Sequence, residues 1–427
     1  MTTFSELGLA PVLLTALENG KIATPTPIQT KAIPLGLQGH DIMGLAQTGT
    51  GKTLAFGLPL IHQLLDMPGK PAPKTVKALI LAPTRELVNQ IAASLRLYTA
   101  KTNLRVNTVV GGQSINKQIQ VLGRGTDILV ATPGRLIDLM NRKALHLHTA
   151  RYLVLDEADQ MLDMGFIHDL RKIAPALGSP RQTMLFSATM PKQMEELSGA
   201  YLSNPKKVQV SPPGKAADKI KQSIHFLEKE DKPEKLRALL SVDPDALSLV
   251  FARTKHGAEK LMKGLVKDGY NAASIHGNKS QGQRDRAIKA FRAGEINVLV
   301  ATDVSARGID IPGVAYVINY ELPEVADNYV HRIGRTARAG REGEAIALCS
   351  PEETGLLRQI EKLMKVEIPV ASGTNPGLGR AESPSKRGGG GRRGGGGARG
   401  SQPRANKPDG AKPSPAKRRR PRRRTAA

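Results

Sequence analysis

Sulfur and aromatic chemistry are scarce in this chain. Cys349 is the only cysteine, so disulfides within the chain and cysteine-based metal clusters are excluded. Aromatic residues make up 3% of the sequence and tryptophan is absent. The hydrophobic cores must therefore be built from aliphatic side chains.

Signals for secretion and for membrane insertion are also missing. The first twenty residues have no basic region and contain Glu6 and Glu18, which is not typical of a secretory signal. No run of about 18 apolar residues is present, so no membrane-spanning helix is predicted. We therefore expect a soluble, intracellular protein with no role at a membrane.

Positive charge, by contrast, is in excess. The 427 residues include 63 Lys and Arg against 38 Asp and Glu, a net charge of +25. Residues 371–427 alone supply +14, because Glu382 and Asp409 are their only acidic residues. So basic a chain attracts polyanions, of which nucleic acid is the commonest soluble one. A soluble surface with a basic tail would give the same composition.

Short apolar runs alternate with helical patterns in two successive parts of the chain. Continuous β-rich runs of this kind are typical of buried parallel strands. The runs are Ala78–Leu81, Val106–Val110, Ile128–Ala131, Tyr152–Leu155 and Met184–Phe186, then Leu249–Phe251, Ala272–Ile275, Val298–Ala301, Val314–Ile318 and Ala345–Leu348. The alternation predicts an α/β protein with two tandem doubly wound parallel-sheet domains.

The domain boundaries follow from changes in composition. The Pro- and Gly-containing stretch 211–218 reads as a linker between a first domain at 1–210 and a second at 219–370. Residues 371–427 are rich in Gly, Arg, Lys, Pro and Ser and have almost no apolar side chains. Such a segment cannot bury enough surface to offset its chain entropy, so we predict a disordered basic tail.

A glycine-rich loop follows the apolar stretch Asp41–Leu45 and precedes a helical pattern. It reads Ala46-Gln47-Thr48-Gly49-Thr50-Gly51-Lys52-Thr53 and fits the phosphate-binding P-loop, with Ala in place of the first Gly. In such a loop backbone N–H groups surround phosphate oxygens, Lys52 reaches the β- and γ-phosphates and the Thr53 hydroxyl ligates Mg²⁺. A strand–helix turn without a ligand is the structural alternative.

Two adjacent carboxylates end the apolar run Tyr152–Leu155. Ligands of doubly wound sheets bind beyond the carboxyl ends of the strands, which is where Asp156 and Glu157 are expected. Asp156 suits the ligation of the same Mg²⁺ as Thr53, and Glu157 can polarise the attacking water. An acidic N-cap of the following helix is the alternative for either residue.

These elements together resemble the DEAD-box ATP-dependent RNA helicases. The similarity rests on a dozen short motifs in the family's order, and it extends from about Phe4 to Val370, most like the bacterial RhlE-type subgroup. The motifs are Thr24–Gln29, Ala46–Thr53, Pro83–Leu87, Gly111-Gly112, Thr132–Arg135, Asp156-Glu157-Ala158-Asp159, Ser187-Ala188-Thr189, Val250-Phe251, His276-Gly277, Ala301-Thr302-Asp303, Arg307–Asp310 and His331–Arg338.

The resemblance implies roles in ATP binding that spacing alone does not give. Thr24–Gln29 is similar to the family's Q motif, in which Gln29 would pair with the adenine edge and Phe4 would stack on the ring. Asp310 would contact the ribose. Arg335 and Arg338 would reach the γ-phosphate as arginine fingers, and a spacing of three would put both on one helical face.

The resemblance also implies a coupling group and an RNA-facing group. Ser187 and Thr189 would link the ATP state to the RNA state by bonding toward Asp159 and His331. A satisfied core histidine is the alternative for His331. RNA phosphates would be met by small residues and helix N-termini. The expected contacts are Pro83, Thr84, Arg85, Gly111, Gly112, Thr132, Gly134 and Arg135 in the first domain and Gly277 and Thr302 in the second.

The sequence is thus identified as an ATP- and Mg²⁺-dependent RNA helicase with two RecA-like domains, which would open short duplexes or remodel RNA–protein complexes. We expect single-stranded and short duplex RNA as partners, with ribosomal precursors or RNA-decay complexes as physiological settings, in the cytoplasm. A P-loop GTPase is an alternative, but the guanine-reading Asn-Lys-x-Asp is absent. A passive RNA-binding chaperone is another, although it would have no use for Lys52, Asp156 and Glu157.

Overall fold

The fold was analysed in a computed structural model of the full chain. The residues it describes are 2–46, 49–190, 192–210, 220–306, 309, 311, 313–337 and 343–375. The linker predicted at 211–218 lies outside these ranges. So do all but the first five residues of the predicted tail.

The first half of the described chain forms a seven-stranded parallel sheet flanked by helices. Its strands are β1 Ile42–Leu45, β2 Val76–Leu81, β3 Val106–Val109, β4 Thr126–Ala131, β5 Tyr152–Leu155, β6 Gln182–Ser187 and β7 Lys206–Gln209. Its helices are α1 Pro11–Asn19, α2 Pro27–Leu37, α3 Lys52–Leu65, α4 Arg85–Thr99, α5 Ile115–Leu122, α6 Pro133–Asn141, α7 Ala158–Asp163, α8 Ile167–Ile173 and α9 Lys192–Tyr201.

The second half forms another seven-stranded parallel sheet. Its strands are β8 Ile220–Phe226, β9 Leu247–Phe251, β10 Ala272–Ile275, β11 Val298–Ala301, β12 Val314–Asn319, β13 Gly343–Cys349 and β14 Val370–Ser372. Its helices are α10 Lys232–Leu240, α11 Lys255–Lys267, α12 Gln281–Arg292, α13 Asp303–Ala306, α14 Ala326–Ile333 and α15 Thr354–Met364. No helix in the described ranges is long and apolar enough to cross a membrane.

Both faces of each sheet are covered, which explains why the strands are continuously apolar. In β2, Ala78 and Ile80 pack into the core under α1–α4, whereas Leu79 and Leu81 pack into the core under α5–α9. Successive side chains of a strand point to opposite faces, so the central positions of a strand between two helical layers are apolar on both faces. The aliphatic cores expected from the composition are confirmed.

The predicted strands are all present, with ends that differ by up to two residues. The sequence did not indicate β7, β8 or β14. Of these, β7 and β14 are edge strands; β7 has exposed Lys206, Lys207 and Gln209, and β14 is exposed throughout. β14 also continues to Ser372, so its last two residues lie within the predicted tail.

The strand order places the motifs at defined positions. The first sheet runs β3-β4-β2-β5-β6-β1-β7. Because all its strands are parallel, the loops after them emerge at one edge. The predicted phosphate loop follows β1 and the acidic pair follows β5, with β6 between them. The predicted RNA contacts follow β2, β4 and β3, on the other side of β5.

Candidate nucleotide and RNA sites

The phosphate loop has the strand–turn–helix geometry that its sequence predicts. Gly51 precedes α3 in a left-handed conformation with φ of 90°, and Lys52 is the first residue of the helix. Lys52 is only 6% exposed, and its Nζ donates to the Ala46 carbonyl at 3.1 Å. A helix N-terminus with an adjacent ammonium group is suited to bind phosphate. Gln47 and Thr48 lie outside the described residues.

Gln29 joins the Q motif to the phosphate loop. Its Oε1 accepts from the Thr26 N–H at 2.9 Å, which caps α2, and its Nε2 donates to the Gly51 carbonyl at 3.0 Å. A Cβ on Gly51 would lie 2.5 Å from Gln29 Nε2, so this approach requires glycine. Phe4 is 4% exposed and packs into the core of the first sheet, whereas Thr24 is exposed.

The acidic pair lies at the carboxyl end of β5, as the sequence predicts. Asp156 is 2% exposed, and its Oδ1 accepts from the Glu157 N–H at 3.0 Å. Burial raises the pKa of Asp156 above its ordinary range, and the nearby Lys52 ammonium offsets part of that rise. Glu157 is 3% exposed and has a left-handed φ of 51°, a strained conformation of the kind found at functional sites.

Asp159, Ser187 and Thr189 form one hydrogen-bonded group between α7 and the end of β6. Asp159 Oδ2 accepts from the Ala188 N–H at 3.0 Å, from the Thr189 N–H at 2.8 Å and from the Thr189 hydroxyl at 3.1 Å. The Asp159 N–H donates to Ser187 Oγ at 3.2 Å, and that hydroxyl donates to the Thr189 carbonyl at 2.7 Å. The structure thus brings together three of the four predicted coupling residues.

His331, the fourth predicted coupling residue, lies in α14 of the second domain, close in sequence to the predicted arginine finger Arg335. α14 ends at Ile333, so Arg335 follows the helix in a turn and does not lie on a helical face as the sequence predicted. Arg335 is 5% exposed, and its guanidinium donates to the carbonyls of His331 at 3.1 Å and Ile309 at 2.8 Å. Arg338 and Asp310 lie outside the described residues.

Arg332 is a buried anchor whose role the sequence did not indicate. It is 1% exposed and forms a two-point ion pair with Asp303, with a 2.8 Å contact between Nη2 and Oδ2. Its Nη1 donates to Asn319 Oδ1 at 3.0 Å, and the guanidinium lies 4.9 Å from the Phe251 ring centroid. A bidentate, desolvated pair of this kind fixes α14 against α13.

The predicted RNA contacts of the first domain lie at the ends of three adjacent strands. Thr84 follows β2 and caps α4, where its Oγ1 accepts from the Leu87 N–H at 3.2 Å. Thr132 follows β4 and precedes α6 as its N-cap residue, with Gly134 and Arg135 in that helix. Gly111 and Gly112 follow β3. Helix N-termini therefore line this edge, the arrangement expected for phosphate binding.

Arginines concentrate positive charge at the same edge. A Cβ on Gly112 would lie 2.0 Å from Arg85 Nη1, so the guanidinium lies directly over the glycine pair. Burial lowers the pKa of Arg85, Glu86 opposes that change, and the charges of Arg284 and Arg135 add to the lowering. Three guanidinium groups therefore share one region, which would attract a nucleic-acid backbone.

Gly277 and Thr302 occupy matching positions on the second sheet. They follow β10 and β11, which are neighbours in that sheet. Thr302 is 9% exposed, and its hydroxyl lies 2.8 Å from Ser305 Oγ. A Cβ on Gly277 would meet no atom within 4 Å, so its backbone is open to a ligand.

A contact between α4 and α12 connects the two sheets and was not predicted. Glu86 Oε1 is 2.9 Å from Arg284 Nη2 and accepts from Gln281 Nε2 at 3.1 Å. Arg85 Nη1 donates to Gln281 Oε1 at 3.1 Å. Two features of the sequence could have indicated this contact. Glu86 is a charged residue beside the predicted RNA contact Arg85, and Gln281 and Arg284 are three positions apart, so they share one helical face.

The comparison with known proteins decides the family. The family described as DEAD/DEAH box helicase matches residues 26–197, and the helicase conserved C-terminal domain matches residues 231–340. Over 365 residues the chain is 44% identical to the ATP-dependent RNA helicase CshA of Listeria monocytogenes, covering 86% of this chain and 69% of CshA. The chain belongs to the DEAD-box ATP-dependent RNA helicases. This membership favours the helicase over both the GTPase and the passive chaperone.

Solved helicase structures extend the similarity to the fold. Saccharomyces cerevisiae Dbp5 bound to RNA and ADP BeF3 is 32% identical with a TM-score of 0.78, over 89% of this chain and 97% of that chain. The DEAD-box helicase Mss116 bound to ssRNA and UDP-BeF is 29% identical with a TM-score of 0.79, over 88% and 81%. The two sheets of this helicase are therefore tandem RecA-like domains.

Helicases of this family use ATP with Mg²⁺, and the residues here fit both. The Thr53 hydroxyl and the Asp156 carboxylate are oxygen donors, the type that Mg²⁺ prefers. Among the described residues no cluster of three or more His, Cys, Asp or Glu could hold a metal ion. The site therefore suits a cation that takes its remaining ligands from nucleotide phosphates and water, which neutralises phosphate charge when bound.

Proposed function

We propose that this helicase binds ATP on the first domain, residues 1–210, and closes the second domain, residues 219–370, over ATP and RNA. The observation that carries the proposal is that Lys52 and Asp156 are buried charges at the carboxyl edge of one sheet. Lys52 would hold the β- and γ-phosphates, Thr53 and Asp156 would hold Mg²⁺, and Glu157 would polarise the attacking water.

The proposed adenine and γ-phosphate contacts come from opposite domains. Gln29, with Thr24 in the same motif, would pair with the adenine edge from the first domain, and Phe4 would stack on the ring. Arg335 and Arg338 would approach the γ-phosphate from the second, and Asp310 would hold the ribose. The carbonyl contacts that hold the Arg335 guanidinium support this role, because an arginine finger must be positioned in advance.

The proposed RNA site is the edge formed by the loops after β2, β4 and β3 together with Gly277 and Thr302. Contacts through backbone N–H groups and arginines are to phosphates, so binding would be independent of base sequence. Asp159, Ser187, Thr189 and His331 would couple the two sites, since the first three lie between the acidic pair and the end of β6. Closure would bend one strand and open a short duplex, and hydrolysis would reopen the cleft.

The cellular setting proposed here is the bacterial cytoplasm, supported by the similarity to CshA of Listeria monocytogenes. Ribosomal precursors or RNA-decay complexes would be the substrates, and the subgroup would be the RhlE type. The basic segment 371–427 would add sequence-tolerant electrostatic attachment to RNA, because its charge is high and it has no Phe, Tyr or Trp for base stacking.

Glu157→Gln tests the proposed chemistry. The amide keeps the size of the side chain but cannot polarise water, so ATP and RNA binding should persist while turnover falls by roughly 10²–10⁴-fold. RNA-stimulated phosphate release and equilibrium binding of a fluorescent ATP analogue measure the two effects separately.

Lys52→Ala is the matched comparison for this experiment. It removes the phosphate-binding ammonium and should weaken nucleotide binding itself. Normal turnover in Glu157→Gln would refute the assigned role, whatever Lys52→Ala does.

A further inference from the structure

Three donors converge on one carboxylate oxygen of the second domain, outside the residues assigned above. Glu259 of α11 accepts through Oε2 from Ser274 Oγ at 2.6 Å and is 2.9 Å from Lys279 Nζ. The same oxygen is 3.0 Å from His276 Nε2. Glu259 thereby ties α11 to β10 and to the turn that follows β10.

The hydrogen bonds of His276 indicate which of its ring nitrogens carries the proton. Its Nδ1 accepts from the Asn278 N–H at 3.3 Å, so in the neutral ring the proton is on Nε2 and points at Glu259. The ring is only 5% exposed. Hydrogen bonds from Ser274, His276 and Lys279 lower the pKa of Glu259 to about 2, so the carboxylate remains ionised at neutral pH.

Ser274, His276 and Glu259 do not form a hydrolytic triad. In such a triad the hydroxyl donates to the histidine and the carboxylate orients the ring from its other nitrogen. Here the Ser274 hydroxyl donates to the carboxylate, and His276 Nδ1 accepts a backbone N–H. The arrangement therefore has a structural role and does not activate a nucleophile.

What the arrangement holds is the turn at residues 276–279. The His276 carbonyl accepts from the Lys279 N–H at 3.0 Å, and the side chains at both ends of the turn bond to Glu259. Ser280 follows at once and caps α12 through a reciprocal capping box with Gln283. The turn thus carries Gly277 at its second position and determines where α12 begins.

We propose that Glu259 is a positioning residue that orients the Gly277 backbone toward RNA and α12 toward Glu86 of the first domain. The proposal rests on the proposed RNA contact of Gly277. Both side-chain contacts of the turn with α11, from His276 and Lys279, are made to the Glu259 carboxylate. Gln281 and Arg284, on the first turn of α12, make the contact with Glu86.

Glu259→Gln and His276→Gln test the proposal in the full chain. Glu259→Gln keeps the shape but turns an amide toward donors and removes the charge. The RNA concentration for half-maximal ATPase should rise roughly ten-fold, the scale of one charged hydrogen bond, with kcat at saturating RNA close to that of the unaltered protein. His276→Gln places an amide N–H near the lost Nε2–H and should retain RNA affinity better than His276→Ala.

Lys263→Gln is the matched control. Lys263 is 3.9 Å from the other oxygen of Glu259 and its side chain is 71% exposed, so its loss should leave RNA affinity unchanged. A fall in kcat and melting temperature for Glu259→Gln without a change in half-saturation would mark a purely structural residue and overturn the proposal. Equal RNA affinity in His276→Gln and His276→Ala would also overturn it.

Gly277→Ala separates this proposal from the RNA site on which it rests. A methyl group there meets no atom of the protein within 4 Å, so it would intrude only on bound RNA. Weaker RNA binding in Gly277→Ala but not in Glu259→Gln would retain the contact and reject the positioning role. If Gly277→Ala binds RNA normally, the contact fails and the positioning proposal fails with it.

Discussion

The two domains of this helicase have the same sheet and different chemistry. Counted from the first strand of each, both sheets follow the order 3-4-2-5-6-1-7, and both are parallel throughout. A lysine begins the helix after the first strand in each case, Lys52 in α3 and Lys232 in α10. Topology therefore does not explain why only the first domain carries a P-loop.

The difference lies in what each lysine contacts. Lys52 donates to one carbonyl and lies near the buried Asp156. Lys232 is 2% exposed, and its Nζ donates to the carbonyls of Tyr320 and Leu348, each at 2.9 Å, and to the Glu353 carboxylate. The second domain thus supplies its own anion where the first would accept phosphate.

A cavity lies beside Lys232 even though Glu353 neutralises the charge of this lysine. A cavity of about 630 Å³ is lined by Lys232, Tyr320, Glu321, Glu353 and other residues, and its size is typical of ligand pockets. Glu353 already accepts from Lys232, from Arg253 at 2.7 Å and from the Leu322 N–H at 3.0 Å. A polyphosphate would have to displace a buried carboxylate from its donors, so the cavity does not suit a nucleotide.

Exchanging each lysine for methionine should give opposite phenotypes, and this is the largest effect we expect. Lys232→Met leaves Glu353 buried without its nearest cation, so the free energy of unfolding should fall by about 3–5 kcal/mol. Lys52→Met removes the ammonium group proposed to bind phosphate and should abolish ATP binding with little loss of stability. Thermal denaturation and nucleotide titration of both variants measure the contrast.

The double variant Lys232→Met/Glu353→Gln is the control for this pair. Removing both charges should recover part of the stability, because the buried carboxylate that has lost Lys232 is then neutral as well. Weaker ATP binding in a folded Lys232→Met would contradict the comparison, since the second domain would then act on the nucleotide through this lysine.

At Asp156 we expect removal of the charge to raise the free energy of unfolding, by less than Lys232→Met lowers it. Its pKa is raised in the folded state, so above that pKa the ionised form destabilises the fold, and the cost disappears as the pH falls below the unfolded value. Asp156→Asn keeps an acceptor for the Glu157 N–H. The ligand-free variant should be more stable at pH 8 by on the order of 1–2 kcal/mol, with a smaller gain near pH 4.5, between the unfolded and folded pKa values of Asp156, while losing ATPase activity.

Urea unfolding without nucleotide at the two pH values measures this difference. Glu157→Gln is the matched comparison, because it also removes a buried carboxylate of the pair. A ligand-free Asp156→Asn that is less stable than the unaltered protein at pH 8 would show that Lys52 more than offsets the burial of the charge.

The central strands and the P-loop could be predicted from the sequence because each rests on a local pattern. Buried strands such as β4 are apolar at both faces, and Gly51-Lys52 has a fixed position between strand and helix. The edge strand β7 could not be predicted, since with one neighbour it tolerates exposed Lys206 and Lys207.

Contacts between distant segments could not be predicted from local sequence patterns, for a different reason. Lys232 and Glu353 are 121 positions apart, and Glu86 and Gln281 are 195 apart. Each residue alone reads as an ordinary solvated charge or amide. Each of these residues gains its partner only when the fold brings two distant segments together, and the same applies to Glu259, Ser274 and His276.

Ala337 provides the smallest effect and concerns the turn that follows Arg335. The helix expected across Arg335 and Arg338 would include this residue. It lies instead beyond the end of α14 with a left-handed φ of 53°, which costs a residue with a Cβ about 1 kcal/mol or more relative to glycine. Ala337→Gly should therefore raise the free energy of unfolding, by roughly 0.5 kcal/mol after the extra entropy of an unfolded glycine.

Lys365 offers the matched control for Ala337, since it follows α15 with a φ of 57° and is remote in sequence from the proposed arginine fingers. Lys365→Gly should give a similar gain in chemical denaturation. RNA-stimulated ATPase should be retained in Ala337→Gly, because the contacts of Arg335 with the carbonyls of His331 and Ile309 and the bond from the Thr336 hydroxyl to the Val314 carbonyl hold the turn from its other side. Loss of stability in Ala337→Gly but not in Lys365→Gly would show that the alanine methyl group is needed in this turn and that the second domain bears no strain in presenting Arg335.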